Sequence, residues 1–328
     1  MKPAISTRLS TPASALAALL ALAFAAPATA QVTATTVQTG AGNTLYIDQR
    51  DDGALLTASI VQTGNDNRAG DPLARTAGII QLQSYEADAA IAQTGSGNTA
   101  SIFQNDNWFG SMRIVQVGDS NSGALRQDSI GQSGIRLAQT GSANTANLEQ
   151  VRVGPHLLDV DQSGNGNSAT ASNRDSGYAG PYILQRGDAN TVSVEHERAF
   201  YSSIYIEQNG NANTVSARQT DTYFNAGQSL IQNGDGNRIS TDEQGDDNGT
   251  DIVQNGNLNA AAMVQRQDAN DLAIRQTGER NSASVRQSGA SGAGSLLRNS
   301  VRIIQTGNGL AAALLQNGVG NQAGAWQH

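Results

Sequence analysis

The sequence predicts an all-β fold, a β-solenoid of about twelve stacked two-strand layers, and three observations predict it. The segment Gln-x-Gly-x-x-Asn, followed six residues after the Asn by another Gln, recurs along nearly the whole chain at steps mostly of 22 to 24 residues. The residues on either side alternate apolar and polar with a period of two, the pattern of a strand with one inward face. The four residues between Gln and Asn are rich in Gly, Asn and Asp, which suits a tight turn needing positive φ.

The leading Gln of each copy is Gln38, Gln62, Gln93, Gln116, Gln139, Gln162, Gln185, Gln208, Gln232, Gln254, Gln276 or Gln305. The turn glycines are Gly40, Gly64, Gly95, Gly118, Gly141, Gly164, Gly187, Gly210, Gly234, Gly256, Gly278 and Gly307. The Asn that closes the turn is Asn43, Asn67, Asn98, Asn121, Asn144, Asn167, Asn190, Asn213, Asn237, Asn259 or Asn281, and Leu310 replaces it once. A trailing Gln follows as Gln49, Gln104, Gln127, Gln150, Gln219, Gln265, Gln287 or Gln316, and repeat residues continue through Gly318, Asn321 and Gln327. Asn173 and His196 take the trailing position in two copies, Gln267 stands where a turn Gly is expected, and copies near Gln132 and Gln244 are degenerate. Insertions are expected around Arg68 to Leu82 and around Ala290 to Ser300.

Parity sets the register. The residue two before the leading Gln is Ile60, Ile91, Ile114, Leu137, Val160, Ile183, Ile206, Leu230, Ile252, Ile274 or Ile303, with Thr36 in the first copy. The residues two and four after the Asn are apolar as well, as in Ala100 and Ile102 or Val192 and Val194. Even offsets then place the leading Gln, the Asn and the trailing Gln on the same inward face as these aliphatics. The turn after the trailing Gln varies more, as in Asp51-Asp52-Gly53, Gly154-Pro155 and Ala179-Gly180-Pro181, and reads as the tolerant side.

A buried amide without partners costs about 1–3 kcal/mol, so such a core needs a device that satisfies it. Layers about 4.8 Å apart supply one: like amides lie in register, each donating to one neighbour and accepting from the other. The residue type has to repeat for this to work, and a Leu or Asp in a row would break two contacts.

Composition narrows the function. Lys2 and Arg8, the apolar run from Ala15 to Ala26 and Ala28-Thr29-Ala30 read as a secretory signal over residues 1–30, leaving residues 31–328 as the repeat domain. Of 20 basic residues those two are removed, leaving 18 against 28 acidic ones, a formal charge of −10, so a nucleic-acid partner is not expected. With no cysteine, disulfides, thiolate metal sites and cysteine nucleophiles are excluded.

No catalytic, cofactor-binding or metal-binding residues are proposed, and no small-molecule substrate is expected. His156, His196 and His328 share no ligand spacing, and His196 reads as structural. Asp48, Glu149, Glu195 and Asp242 fall on outward positions without consistent pairing, the pattern of a solvated face. The tandem Gly-Gly-x-Gly-x-Asp of calcium-binding rolls is missing from the sequence.

Gln-x-Gly-x-x-Asn-x-Ala-x-x-x-Gln at about 22-residue spacing in a cysteine-free chain resembles the curlin repeat of curli fibre subunits, with Gln93 to Gln104 and Gln139 to Gln150 the closest copies. The resemblance spans nearly all of Val37 to Gln327. It implies a secreted subunit that self-assembles into extracellular functional amyloid for biofilm matrix and cell adhesion. Its implied partners are further copies of itself, other curlin-like subunits and an outer-membrane secretion apparatus. A minor nucleator of such fibres and a monomeric solenoid adhesin are the alternatives. The sequence departs from the familiar subunits in having more repeats and no long Gly/Asn-rich leader before Gln38.

Overall fold

The computed structural model describes residues 5–9, 32–50, 55–71, 76–178, 180–224, 226–289 and 298–328. Stacked parallel strands, with no helix among the described residues, form a β-solenoid of about twelve turns. Two compact units divide it, residues 1–166 and 167–328, each a stack of about six turns.

In the first unit the strands carrying the leading Gln are Val32–Thr39, Leu56–Thr63, Ala87–Thr94, Ser111–Val117, Gly134–Thr140 and Leu157–Ser163. They pair in that order, parallel and without slip, so that Gln38, Gln62, Gln93, Gln116, Gln139 and Gln162 face one another in turn. A second parallel sheet joins Thr44–Arg50, Ile79–Leu82, Thr99–Trp108, Ser122–Gly131 and Thr145–Val151. Strand Ile5–Leu9 pairs antiparallel with Thr44–Arg50. The rest of the segment expected to be a secretory signal, up to residue 30, lies outside the described residues.

The second unit repeats the plan. Pro181–Arg186, Ser203–Asn209, Gly227–Asn233, Gly249–Asn255, Asn270–Thr277, Asn299–Thr306 and Gln322–Gln327 form one parallel sheet. Ser168–Arg174, Thr191–Ala199, Thr214–Thr222, Arg238–Gln244, Ala260–Arg266, Ser282–Ser288 and Ala311–Asn317 form the other.

Burial alternates along these strands as parity requires. In Ser111–Val117, Met112, Ile114 and Gln116 are buried while Ser111, Arg113 and Val117 are exposed. The aliphatics two before each leading Gln, from Ile60 to Ile303, are 0 to 1 % exposed, and each such burial contributes about 1.5–3 kcal/mol. Thr36, the exception in the first copy, is buried too. The interior is narrow, filled from two facing sheets by one or two side chains per strand beside the amides.

The first insertion is narrower than expected. Arg68 and Ala69 pair with Thr44 and Leu45, and Ile79 to Leu82 pair with Ile47 to Arg50, so only the segment between Ala69 and Ile79 leaves the sheet. Gly70 and Asp71 pair antiparallel with Ala77 and Thr76, and residues 72–75 lie outside the described residues. Of the second insertion, residues 290–297 lie outside the described residues, and the sheet resumes at Asn299.

Candidate functional site

The amide rows are the chemical feature that repeats in every layer. In the leading row each Gln Nε2 donates to the Oε1 of the following layer: Gln38 to Gln62 at 2.8 Å, Gln62 to Gln93 at 2.8 Å, Gln93 to Gln116 at 2.9 Å, Gln116 to Gln139 at 2.8 Å and Gln139 to Gln162 at 2.8 Å. In the second unit the run from Gln185 through Gln208, Gln232, Gln254, Gln276, Gln305 and Gln327 has the same sense, at 2.8 to 2.9 Å. The second amide hydrogen goes to a backbone carbonyl beside the turn Asn, as from Gln116 to Thr99 O at 3.0 Å and Gln139 to Ser122 O at 3.1 Å. Both donors and the acceptor of each inner Gln are therefore satisfied, which removes the desolvation cost that would exclude them from a core.

The Asn row carries the expected side-chain ladder, as from Asn98 Nδ2 to Asn67 Oδ1 at 2.9 Å and from Asn121 Nδ2 to Asn98 Oδ1 at 3.1 Å, and adds bonds to backbone. Asn98 Oδ1 accepts from Asn121 N at 3.0 Å, and Asn98 Nδ2 donates to Gly118 O at 2.7 Å. The same pair recurs at Asn43, Asn67, Asn121, Asn190, Asn213, Asn237, Asn259 and Asn281. Asn144 and Asn167 bond in the same way to Gly164 O and Gly187 O. Asn is one methylene shorter than Gln, so its amide reaches the turn carbonyl of the next layer as well as a neighbouring side chain. Leu310, in the Asn position, keeps the half that needs only a backbone: its N donates to Asn281 Oδ1 at 3.0 Å.

The turn glycines are required twice over. Gly95 has φ of +114°, and a Cβ there would lie 2.1 Å from Gly118 O; the same holds at Gly40 against Gly64 O at 2.0 Å. Gly64, Gly118, Gly141, Gly164, Gly187, Gly210, Gly234, Gly256, Gly278, Gly307 and Gly318 share the positive φ. The Asn and Asp beside them have a purpose: Asp119 Oδ1 accepts from Ser96 N at 2.8 Å and Asp235 Oδ1 from Asn211 N at 2.7 Å, tying each turn to the one before.

The trailing row is less uniform. In the first unit it runs Gln49, Gln81, Gln104, Gln127, Gln150, at 2.7 to 3.3 Å. Gln81 was not expected from the spacing, because fourteen residues separate it from Asn67 where six separate Asn43 from Gln49. Its signal was the alternation Ile79-x-Gln81. Gln150 Nε2 donates to His156 Nε2 at 3.1 Å, while His156 Nδ1 donates to Gly154 O at 3.0 Å, and burial holds the imidazole down to about 4.

In the second unit Asn173 and His196 occupy the row as expected, and His196 Nδ1 donates to Asn173 Oδ1 at 3.0 Å while Nε2 faces Ser202 Oγ at 3.1 Å. Gln219 follows, then Glu243, fully buried, and then Gln265, Gln287 and Gln316 bonded at 3.0 Å each. Glu243 escaped the sequence reading, which stopped at the neighbouring Gln244; that residue faces outward and donates to Asp221 at 3.0 Å. A further Asn row lines the opposite turn, where Asn248, Asn270, Asn299 and Asn321 bond in succession at 2.9 to 3.0 Å. Its trace in the sequence is the even spacing of Gln254, Gln265, Gln276 and Gln287, 11 residues apart.

Stacking extends to the surface. Tyr178 and Tyr201 lie face to face at 4.8 Å, Tyr201 and Phe224 at 6.1 Å, and Phe200 and Tyr223 at 5.5 Å. Arg126 pairs with Glu149 and Arg136 with Asp159 across layers, at 3.0 and 2.7 Å. Among the described residues no group of three or more His, Cys, Asp or Glu is placed to hold a metal ion. No protein-family model matches the chain, and no curated protein matches it in sequence.

Proposed function

We propose that this chain is a structural subunit of a secreted, extracellular fibre at the bacterial cell surface, a curli-like functional amyloid that builds biofilm matrix and mediates cell adhesion. The observation that carries the reading is the translational repeat of the leading row: each rung offers the next the same donor that it accepts from the last. A layer from another copy is then chemically equivalent to the next layer of the same copy, so the contacts that hold the monomer also polymerise it. The partners are further copies stacked head to tail, other curlin-like subunits and an outer-membrane secretion apparatus. No catalytic step, cofactor or small-molecule substrate enters this reading.

Purified chain starting at Gln31 tests it. Electron microscopy should show unbranched fibres and fibre diffraction a meridional spacing of about 4.8 Å. A persistently monomeric, dye-negative solution would overturn the proposal and leave the monomeric adhesin standing. The irregular trailing row, with Asn173, His196 and Glu243 as three exceptions among four successive rungs, favours a second reading as a minor nucleating subunit. Seeding separates the two: a bulk subunit elongates its own seeds, whereas a nucleator shortens the lag of another subunit at substoichiometric amounts.

A further inference from the structure

The second unit holds a cluster of polar core residues around Glu243 that the repeat does not call for. Glu243 lies between Gln219 and Gln265 in the trailing row and is fully buried. Three neighbouring inward positions that are aliphatic in flanking layers are polar here. Gln228 and Thr250 stand where Ile204 and Leu272 do, and Thr241 stands between Ala217 and Met263.

Counting hydrogens shows what the cluster requires. Gln219 Nε2 donates to Glu243 Oε1 at 2.7 Å. Thr250 Oγ lies 3.2 Å from Glu243 Oε2 and 2.9 Å from Gln265 Oε1. Gln265 spends its amide hydrogens on Gln287 Oε1 and on backbone carbonyls, and Thr241 Oγ donates to Gln228 Oε1 at 2.6 Å. Thr250 has a single hydroxyl hydrogen, so it cannot donate to both Glu243 and Gln265. With Glu243 ionised, one of those two oxygens lacks Thr250 as a donor. With a proton on Oε2, the chain runs Gln219 to Glu243 to Thr250 to Gln265 to Gln287, every member donating forward as in the leading row.

We propose that Glu243 is a proton-holding rung: the forward-donating run from Gln219 to Gln287 is continuous only with the carboxyl neutral, and ionisation opens the solenoid at this layer. Burial pushes the group up to about 8, against the opposing effect of hydrogen bonds from Gln219, Thr250 and Gln228. The ionisable residues of Glu243's own strand and of those around it, Arg218, Asp221, Arg238, Asp242, Asp251 and Arg266, face outward, and Arg266 is paired with Asp242. His196 lies beyond Gln219, bonded to Asn173 and Ser202. No cation therefore faces Glu243 among these strands to hold it ionised. Its folded value is raised above the ordinary one, so the stability it lends is complete below about 4.5, declines as pH rises, and is gone above about 8.

Hydrogen exchange of the full chain between pH 6 and 9, corrected for the chemical rate, tests this whether the protein is monomeric or fibrous. Protection of the segment 238–265, relative to the layer 93–127, should fall roughly tenfold per pH unit up to about pH 8. In Glu243→Gln, which places an amide in the row, the ratio should stay level. A wild-type ratio independent of pH, an equal slope in the variant, or a variant that cannot fold would each overturn the proposal. Infrared spectroscopy at pH 7 gives a second reading: a neutral carboxylic-acid carbonyl band present in wild type and lost in Glu243→Gln is expected, and its absence from wild type would contradict the assignment.

Discussion

Every described rung of the leading row, from Gln38 to Gln162 and from Gln185 to Gln327, is glutamine, whereas the trailing row admits Asn173, His196 and Glu243. Both rows sit inward on parallel strands of the same solenoid. They differ in what lies beside them. The leading Gln runs straight into a turn whose glycine stacks on the next glycine, with its Cβ position filled by a neighbour's carbonyl. The trailing residue is followed in most layers by a longer turn that supplies side chains of its own. Ser133 donates to His156 O and lies 3.2 Å from Gln150 Oε1, and Ser202 bridges His196 and Thr222. A row tolerates a foreign rung where a nearby hydroxyl or imidazole can restore the donor and acceptor count, and the tight turn leaves no space for one.

Damage to the uniform row should have the greatest consequence. Gln139→Leu strands the donor of Gln116 and the acceptor of Gln162, and should cost about 4 kcal/mol, read from the denaturant midpoint. The outward Ser193→Ala should stay within about 0.5 kcal/mol and leave the polymerisation rate unchanged. Equal effects would mean that the register is wrong.

The turns should separate next. Gly95→Ala meets both a positive φ and a carbonyl at 2.1 Å, and should cost about 3 kcal/mol, while Gly131→Ala, at the end of strand Ser122–Gly131 with no described atom within 4 Å of its Cβ, should be close to neutral.

His156 offers a pH test in the opposite sense to Glu243. Its folded value lies below the ordinary one, so the stability it contributes is present above about 6.5 and lost as pH falls through about 4, on the order of 3 kcal/mol in all. The wild-type midpoint should decline over that window, and His156→Gln should flatten it.

The smallest effect sharpens the account. Gln219 Oε1 has no hydrogen-bond partner among the described residues, and His196→Gln would place a forward-pointing amide before it in the row. We expect a gain of about 1 kcal/mol in unfolding free energy.

Much of this was legible from residues alone, because a strand of period two and a fixed repeat leave a single inward face. The leading row, the turn glycines, the aliphatics from Ile60 to Ile303 and the substitutions Asn173 and His196 all follow from parity and spacing. Gln81 was hidden because an excursion alters spacing in the chain while preserving it in space. Glu243 was hidden because its partners Gln228 and Thr250 sit on two other strands, and only stacking brings them together. The backbone bonds of the Asn row depend on side-chain reach, which a one-dimensional pattern does not carry.

The most direct test of the central claim is hydrogen exchange at the side-chain amides themselves. With glutamine-selective nitrogen labelling, the Nε2 hydrogens of Gln116 and Gln139 should exchange as slowly as the backbone amides of the strands that hold them. Exchange at the rate of free glutamine would place those amides in water and contradict the account.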